Sequence, residues 1–287
     1  MYTFKSRYFS DIYHDVLNTV RASPEYSTSP RGQKVNEITN AVIEVSEPNY
    51  NLYVNKRRSS KEKYIAAETI WYFNGQNTTE FISKYANMWN HIKNDDNMTV
   101  NSCYGYQLFT DKNNKSELSE WEWSFRSLLN DKDTRQAVMK INKPSHNIIG
   151  IKDYPCTLTI TFMIRDNKLN MTVHMRSNDI VLGLPTDFAL FNIMHQQMYN
   201  QLKYKYDTLN IGKYTHIVDS LHLYERNFGL VEDMLQHEFF PRKTPHLDLD
   251  LIDFKGRRSS DIYSLYIGEY NTCSTSKFYN YLFEKIS

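Results

Sequence analysis

The chain has 287 residues, of which 40% are hydrophobic, and its 34 basic and 33 acidic residues leave a formal net charge of +1. This length suffices for one large domain and does not demand two, so we expect residues 1–287 to form a single domain. The balanced charge excludes the strongly basic surface of a duplex-DNA-binding protein, although it is compatible with a local anion pocket.

Three widely spaced cysteines occur in the chain: Cys103, Cys156 and Cys273. They form no CxxC or Cys/His pattern of a metal site, so we expect free thiols, a reducing compartment and no bound metal. No run approaches the ~18 apolar residues of a membrane span, and residues 1–10 lack the apolar core of a signal peptide. The sequence therefore predicts a cytoplasmic protein without a membrane anchor.

The first quarter of the chain predicts two helices separated by a strand. Apolar residues at helical spacing predict a helix over residues 9–21, and β-branched positions predict a strand over 33–46. The loop between them is rich in Ser and Pro and contains Arg31. A second helix is expected from about 61 to 74, ending before Gly75.

Glu68 lies on a largely aromatic face of this second helix. Its neighbours three and four residues away include Tyr64, Trp71 and Tyr72. A carboxylate buried there needs hydrogen bonds or a raised pKa, whereas a carboxylate at the flank of the face keeps its tip in solvent. Periodicity alone leaves both alternatives open.

The middle of the chain predicts two further helices and a short strand. The helices are expected near residues 78–92 and 121–129, where aromatic and aliphatic residues recur at helical spacing. A short apolar strand over 137–141 follows a polar turn that contains Arg135.

The later part of the chain predicts a β-hairpin, a core helix and a further strand. Residues 157–165 and 169–175 alternate apolar and polar side chains around an Asp-Asn turn. A helix with a clear core stripe opens near Asp187, and residues 216–224 form a short strand. The last sixty residues are expected to add peripheral strands and a C-terminal aromatic helix. Helices mixed with hairpin strands indicate an α+β fold.

One stretch of the chain brings chemically distinctive residues together in sequence. Cys156 follows a proline at the mouth of the hairpin, Arg176 and Ser177 come twenty residues later, and Asp187 opens the core helix. A nucleophile, an anion-binding group and a carboxylate within 32 residues indicate a nucleotide site. The alternatives are a small core cysteine at 156 and a helix-capping aspartate at 187.

Nine short stretches between Arg31 and Tyr224 occur in an order that is similar to one known family. They are Glu68–Gly75, Trp89, Tyr104-Gly105, Asp133–Arg135, Pro155-Cys156, Arg176-Ser177, Asp179, Leu182–Pro185 and His222–Tyr224. Together they resemble the thymidylate synthase superfamily, although any one alone is a weak signal. The resemblance implies a twisted mixed β-sheet covered by helices, and a homodimer that packs through the sheet.

The resemblance also implies a substrate, a co-substrate and a set of site residues. The substrate is a pyrimidine nucleoside 5′-monophosphate, and the carbon donor is 5,10-methylenetetrahydrofolate. The matching catalytic positions are Cys156 as nucleophile, Glu68 as general acid/base, Tyr104 and Asp187. The matching nucleotide ligands are Arg31, Arg176, Ser177, His222 and Tyr224, with Arg135 supplied by the other subunit. The matching folate contacts are Trp89, Asp179 and Gly183.

These residue types suit the implied chemistry. C5 of a pyrimidine is a weak nucleophile, and addition of the Cys156 thiolate to C6 activates it. A free cysteine has a pKa of about 8.5 and needs a nearby cation to ionise at neutral pH, which Arg176 can supply. Forked guanidinium groups suit a dianionic phosphate.

Asp187 departs from the synthases, which carry asparagine at this position. An amide can donate to uracil O4 and accept from N3–H, whereas cytosine reverses that edge. A carboxylate accepts from cytosine N4–H, and a protonated carboxyl also donates to N3. Aspartate here marks the deoxycytidylate hydroxymethylase branch of the superfamily, although a protonated carboxyl can also pair with uracil.

Other departures concern the phosphate site and the end of the chain. Gln136 stands where a second arginine is usual, Thr157 replaces a histidine, and Ser220 replaces an aspartate. The C-terminal residues also lack the family's usual terminus. We expect hydroxymethylation of dCMP; the alternatives are methylation or hydroxymethylation of dUMP or CMP, and a catalytically silent nucleotide- or RNA-binding relative.

Overall fold

The computed structural model describes residues 1–113, 115–270 and 275–287, so Cys273 lies outside the described part of the chain. The chain divides into two compact units, each built from three segments. Unit 1 comprises residues 1–61, 170–192 and 212–244, and unit 2 comprises residues 62–169, 193–211 and 245–287.

The elements are numbered in chain order over the described residues. The strands are β1 (Tyr2–Ser6), β2 (Tyr26–Thr28), β3 (Val35–Val45), β4 (Leu52–Asn55), β5 (Val138–Lys140), β6 (Thr157–Arg165), β7 (Lys168–Asp179), β8 (Asn210–Tyr224) and β9 (Phe239–Arg242). The helices are α1 (Phe9–Ala22), α2 (Glu62–Asn74), α3 (Met88–His91), α4 (Glu120–Asn130), α5 (Leu184–Leu202), α6 (Phe228–Leu235), α7 (Ser260–Ile267) and α8 (Lys277–Ile286).

Unit 1 is built on a mixed sheet. Its strand order is β1-β3-β8-β7, and β2 also pairs with β3. The pairing of β1 with β3 is parallel, and those of β2 and β8 with β3 are antiparallel. Helix α1 buries Phe9, Ile12 and Val16, which lie on one face at the spacing that predicted it. The expected α+β fold with a mixed sheet is confirmed.

Strand β7 shows the alternation that the sequence predicts. Leu169, Met171, Val173 and Met175 are buried, while Arg176 follows on the other parity and stays partly exposed. Helix α5 begins at Leu184, three residues before the predicted opening. Asp187 therefore lies in the first turn of the helix.

Unit 2 is built around α2. This helix is buried on all sides from Ile65 to Asn74, as expected of a central helix. Strands β5 and β6 pair antiparallel, with Met139 opposite Ile160. None of the described helices is long and apolar enough to cross a membrane.

The helix predicted over 78–92 is wrong. The segment contains only a short 3₁₀ turn and the four-residue helix α3. Backbone pairing with a later turn explains the error, because Thr79 N donates to Met98 O at 3.0 Å and Val100 N donates to Asn77 O at 3.0 Å. Apolar spacing in the sequence does not register such long-range pairing.

The C-terminal aromatic helix is observed as α8, which packs within unit 2. Phe278, Tyr279 and Leu282 are fully buried. At its polar edge, Tyr281 Oη donates to Glu62 Oε2 at 3.3 Å, and Lys285 Nζ lies 3.1 Å from the same oxygen. The end of the chain is therefore fastened to the start of α2, the helix that carries Glu68.

Candidate active site

Glu68 is a buried, hydrogen-bonded carboxylate in unit 2. Its side chain is 5% exposed, and Oε1 accepts from Tyr64 Oη at 3.1 Å and from Tyr72 Oη at 3.2 Å. Trp89 Nε1 donates to Tyr64 Oη at 3.0 Å and extends the chain of hydrogen bonds. Of the two alternatives that the sequence leaves open, the buried one is correct. Both tyrosines lie one helical turn from Glu68.

Tyr104 links this chain to the candidate nucleophile segment. Its ring centroid lies 5.4 Å from that of Tyr72, and its Oη accepts from Thr157 N at 3.3 Å. Thr157 directly follows Cys156, so Tyr104 holds the backbone beside the thiol. All of these groups lie in unit 2.

Cys156 and Cys103 have contrasting environments. Cys156 is partly exposed directly before β6, as an accessible nucleophile requires. Cys103 is fully buried, its Sγ donates to Gln76 O at 3.0 Å, and burial raises the pKa of its thiol far above the ordinary range. The core-cysteine role considered for Cys156 therefore belongs to Cys103.

Gly105 allows Tyr104 to lie against α2. A Cβ at this position would lie 1.8 Å from Tyr72 O, closer than any real contact. Only glycine leaves room for the two backbone segments to approach so closely.

Asp153 fixes the loop that leads to Cys156. Its Oδ2 accepts from Asn101 N at 2.6 Å and from Ser102 N at 2.7 Å, and its Oδ1 accepts from the Ser102 hydroxyl. The carboxylate is 4% exposed. It ties the Cys156 segment to the segment that contains Tyr104.

Asp187 lies in unit 1 beside Asn178. Asn178 Nδ2 donates to Asp187 Oδ2 at 2.6 Å. Removal from water by the surrounding protein raises the pKa of Asp187 to about 7, Asn178 opposes that rise, and the charge of Asp179 adds to it. Asp187 nevertheless remains partly exposed. Its carboxyl bonds to the Asn178 side chain and lies past the N-cap position of α5, so the capping alternative is not what is observed.

The turn between β7 and α5 brings Asn178 and Asp187 together. Asp179 Oδ1 accepts from Val181 N at 2.7 Å and from Leu182 N at 3.3 Å, which closes the turn. Gly183 then packs against the pair, because a Cβ there would lie 2.8 Å from Asn178 Nδ2 and 3.3 Å from Asp187 Oδ2. Gly183 therefore leaves room for the hydrogen bond between them.

The predicted sugar and phosphate ligands come from different elements of the fold. In unit 1, the rings of His222 and Tyr224 lie 5.1 Å apart. Arg31 is exposed and has a φ of 53°, a conformation unusual for a residue with a side chain. Arg176 and Ser177 are partly exposed at the end of β7, and Arg135 is exposed in unit 2.

A small pocket in unit 1 is lined by residues that were not among the predicted site residues. The space among its lining residues is about 240 Å³, including space that is open to solvent, and the lining includes Arg58, Lys61, Leu182 and Thr186. Arg58 Nη2 donates to Val181 O at 3.2 Å. Arg58 belongs to a run of basic residues before α2, Lys56-Arg57-Arg58.

Sequence reasoning also missed Asn178 and Asp153. Asn178 stands between the matched residues Ser177 and Asp179, and Asp153 lies three residues before Cys156, but neither has a sequence pattern of its own. Among the described residues, no group of three or more His, Cys, Asp or Glu side chains is arranged to hold a metal ion.

The fold is that of a known class of enzyme. The thermostable thymidylate synthase A from Bacillus subtilis superposes with a TM-score of 0.65 at 16% identity, covering 81% of this chain and 85% of that one. The family described as thymidylate synthase matches residues 11–279. The chain belongs to this family of one-carbon transferases, as the resemblance predicted.

Phage proteins are among the similar sequences. The chain is 30% identical over 245 residues to a deoxyuridylate hydroxymethyltransferase of Bacillus phage SP01, covering 82% of this chain but only 62% of that protein. It is 27% identical over 215 residues to the deoxycytidylate 5-hydroxymethyltransferase of Enterobacteria phage T4, covering 72% of this chain and 83% of that one. The thymidylate synthase of Bacillus phage phi3T is 22% identical over 189 residues, covering 64% of each chain.

Proposed function

We propose that the protein is a deoxycytidylate 5-hydroxymethyltransferase. It transfers a one-carbon unit from 5,10-methylenetetrahydrofolate to C5 of dCMP, and water completes the hydroxymethyl group. The observation that carries the proposal is the Asp187 carboxyl, whose pKa is raised to about 7 while part of its surface remains open. The similarity to the phage T4 enzyme supports the same assignment.

Asp187 recognises the base through hydrogen bonds that depend on the protonation state of its carboxyl. In the neutral form, one oxygen accepts a hydrogen bond and the other donates one. Cytosine offers the matching edge, with a donor at N4 and an acceptor at N3. A buried polar group left unpaired costs about 1–3 kcal/mol, so a mismatched edge lowers affinity. With a pKa of about 7, a substantial fraction of the carboxyl is neutral under physiological conditions.

Cys156 and Glu68 carry the bond-making steps. The Cys156 thiolate adds to C6, and the electron pair of the C5–C6 double bond makes C5 nucleophilic. Folate supplies the one-carbon unit that C5 receives. Loss of the C5 proton, with breakage of the bond between the transferred carbon and the folate nitrogen, releases tetrahydrofolate and leaves an exocyclic methylene on the pyrimidine. Water adds to that methylene and gives up a proton, and the bond from sulfur to C6 breaks to restore the C5–C6 double bond and the thiolate. Glu68, held by Tyr64 and Tyr72, moves the protons and orients the water.

The remaining predicted ligands hold the nucleotide. Arg31, Arg176 and Ser177 bind the 5′-phosphate, and His222 and Tyr224 bind the sugar hydroxyl. Arg31 is exposed and Arg176 and Ser177 are partly exposed, which is compatible with that role.

We further propose a homodimer that packs through the sheet. Arg135 is exposed, so it can serve the phosphate of the partner subunit, which would complete each site. The enzyme acts on free nucleotides in the cytoplasm of a host cell as a single domain over residues 1–287, without contacting nucleic acid or membrane.

The chain's residues fit a folate co-substrate. Arg58 and Lys61 line a pocket whose rim includes Leu182, which is 48% exposed. Cations beside an exposed apolar side chain suit an aromatic amide with a carboxylate tail. Trp89, Asp179 and Gly183 remain the proposed contacts for the rest of the folate.

The test is incubation of purified protein with 5,10-methylenetetrahydrofolate and [5-³H]dCMP. We expect tritium release to water and a product whose mass corresponds to hydroxymethyl-dCMP. Parallel reactions with dUMP and CMP measure the preference for the base and the sugar. The proposal fails if dCMP releases no tritium, whereas equal use of dUMP would overturn only the role of Asp187.

The alternative within the family is action on dUMP. The SP01 relative favours it, because its name assigns deoxyuridylate as substrate and a neutral carboxyl can also pair with uracil. Formation of dihydrofolate, followed by its absorbance, would identify a methylating enzyme instead. A catalytically silent relative would be indicated if Cys156→Ser left the biological effect unchanged.

A further inference from the structure

Asn178 is the closest polar neighbour that the structure assigns to Asp187. Its Nδ2 lies 2.6 Å from Asp187 Oδ2, a short hydrogen bond. Asn178 is 3% exposed, so this bond forms away from solvent. The family resemblance placed no role on this residue, which stands between two matched positions, Ser177 and Asp179.

The surrounding turn holds the two side chains together. Asp179 closes the turn through two backbone amides, and Gly183 leaves the space that the hydrogen bond occupies. A methyl group at Gly183 would press on Asn178 Nδ2 at 2.8 Å. The contact is therefore built into the backbone path and does not depend on a flexible surface side chain.

The other half of the Asn178 amide has no partner among the described residues. Asn178 Oδ1 is buried without a hydrogen bond. A buried acceptor without a partner costs about 1–3 kcal/mol, and such an atom in a native protein points to a bound group or to water. Because an amide is planar and small, Oδ1 lies next to the Asp187 carboxyl and suits a ligand that donates, such as an amino group.

We propose that Asn178 is a positioning residue that holds the carboxyl of Asp187 for reading the pyrimidine edge and favours cytosine over uracil. An N–H facing Oδ2 keeps that oxygen an acceptor, so the proton of the neutral carboxyl resides on Oδ1. The carboxyl then presents one acceptor and one donor in a fixed order. Asn178 Oδ1 adds an acceptor that suits an amino group at position 4 and opposes a carbonyl there. This inference rests on the proposed function.

Besides Asn178, two groups interact electrostatically with Asp187. The charge of Asp179 raises its pKa, and Tyr214 on β8 interacts electrostatically with it. Tyr214 is itself hydrogen-bonded to His216 Nδ1 at 2.7 Å, and burial lowers the pKa of His216 to about 3, so that imidazole is neutral. Asn178 is the neighbour whose hydrogen bond favours the charged carboxylate.

The test compares wild type with Asn178→Leu and Asn178→Asp. The first removes the donor at similar volume, and the second replaces it with an acceptor. Asn170→Leu, on the same strand and away from this pair, is the matched control. Tritium release from dCMP and dUMP is measured from pH 5.5 to 9 (roughly one and a half to two units on either side of the relevant pKa).

We expect the ratio of kcat/KM for dCMP to that for dUMP to fall about tenfold in both variants, as loss of about 1.4 kcal/mol of selective binding implies. In wild type, kcat/KM for dCMP falls as pH rises through the pKa of Asp187. Without the Asn178 donor, the Asp187 carboxyl stays neutral up to a higher pH. The pH at which kcat/KM for dCMP falls therefore rises by about one unit or more. A purely structural defect would lower kcat/KM for both substrates by the same factor and leave the pH profile unchanged.

The ratio is internal to each protein, so partial unfolding of a variant does not imitate the result. The pKa of Asp187, followed by carboxyl ¹³C NMR in the ligand-free protein, provides a readout that needs no activity. An unchanged ratio and an unmoved Asp187 titration in both variants would overturn the role of Asn178. Absence of activity in wild type, with the titration moved as expected, would instead remove the proposed function and leave the positioning intact.

Discussion

Replacing Asp187 with asparagine removes a group that makes the folded protein less stable as pH rises. The pKa of Asp187 is about 7 in the folded protein, against an ordinary value of 3.8. Between those values the folded state keeps a proton that the unfolded chain releases. Stability therefore falls as pH rises through this window, and the full cost is present above pH 7.

The magnitude follows from the two pKa values. They differ by about 3, and each unit corresponds to about 1.4 kcal/mol, which sets an upper bound of about 4 kcal/mol. Asp187 is partly exposed, so solvent screening reduces the expected cost to about 1–2 kcal/mol. Asparagine has the same shape and carries no charge at any pH. Asp187→Asn should match wild type near pH 4 and exceed it by this amount at pH 8.

The measurement is urea or thermal unfolding of both proteins at several pH values. A gain of about 1–2 kcal/mol corresponds to roughly 2–8 °C in Tm for a protein of this size. Subtracting the two curves cancels every other titrating group. Asp166→Asn, which removes an exposed carboxylate in the hairpin turn, is the control. A pH-independent difference for Asp187→Asn would refute the reasoning.

Three further substitutions test the groups around Cys156 in unit 2. Gly105→Ala should destabilise the protein by about 3 kcal/mol or more in urea unfolding, because the new methyl overlaps Tyr72 O, whereas Gly229→Ala, with open space around it, should be tolerated. Tyr104→Phe leaves the backbone amide after the nucleophile unpaired, so we expect a loss of about 1–3 kcal/mol in unfolding free energy and a lower kcat; unchanged values for both would contradict its positioning role. Cys156→Ser should keep the wild-type unfolding midpoint and release no tritium from dCMP. Tritium release by this variant at the wild-type rate would exclude Cys156 as the nucleophile.

Contacts of the candidate site that are made within one helix can be predicted from the sequence, whereas contacts made across a turn cannot. Tyr64 and Tyr72 lie four residues on either side of Glu68, so helical geometry alone brings their hydroxyls to the carboxylate. The position of Asn178 beside Asp187 could not be read in this way. It depends on a turn whose path is set by two backbone hydrogen bonds and one glycine.

The same distinction explains why some predicted helices and strands are correct and the helix predicted over 78–92 is wrong. Helix α1 and the β6–β7 hairpin have patterns that local geometry satisfies, and both are observed close to the predicted bounds. The helix expected over 78–92 has an equally regular apolar pattern, but Thr79 bonds with Met98 and Asn77 with Val100. Pairing partners some twenty residues away cannot be recognised from periodicity.

The interleaving of the two units has a consequence for synthesis on the ribosome. Unit 1 needs residues up to 244 and unit 2 needs residues up to 287, because each is assembled from three separated segments. At ribosomal rates of roughly 5–20 residues per second, the N-terminal segment waits on the order of ten seconds or more for its partners. Both units therefore complete late, and a chain that terminates before residue 244 contains neither unit in full.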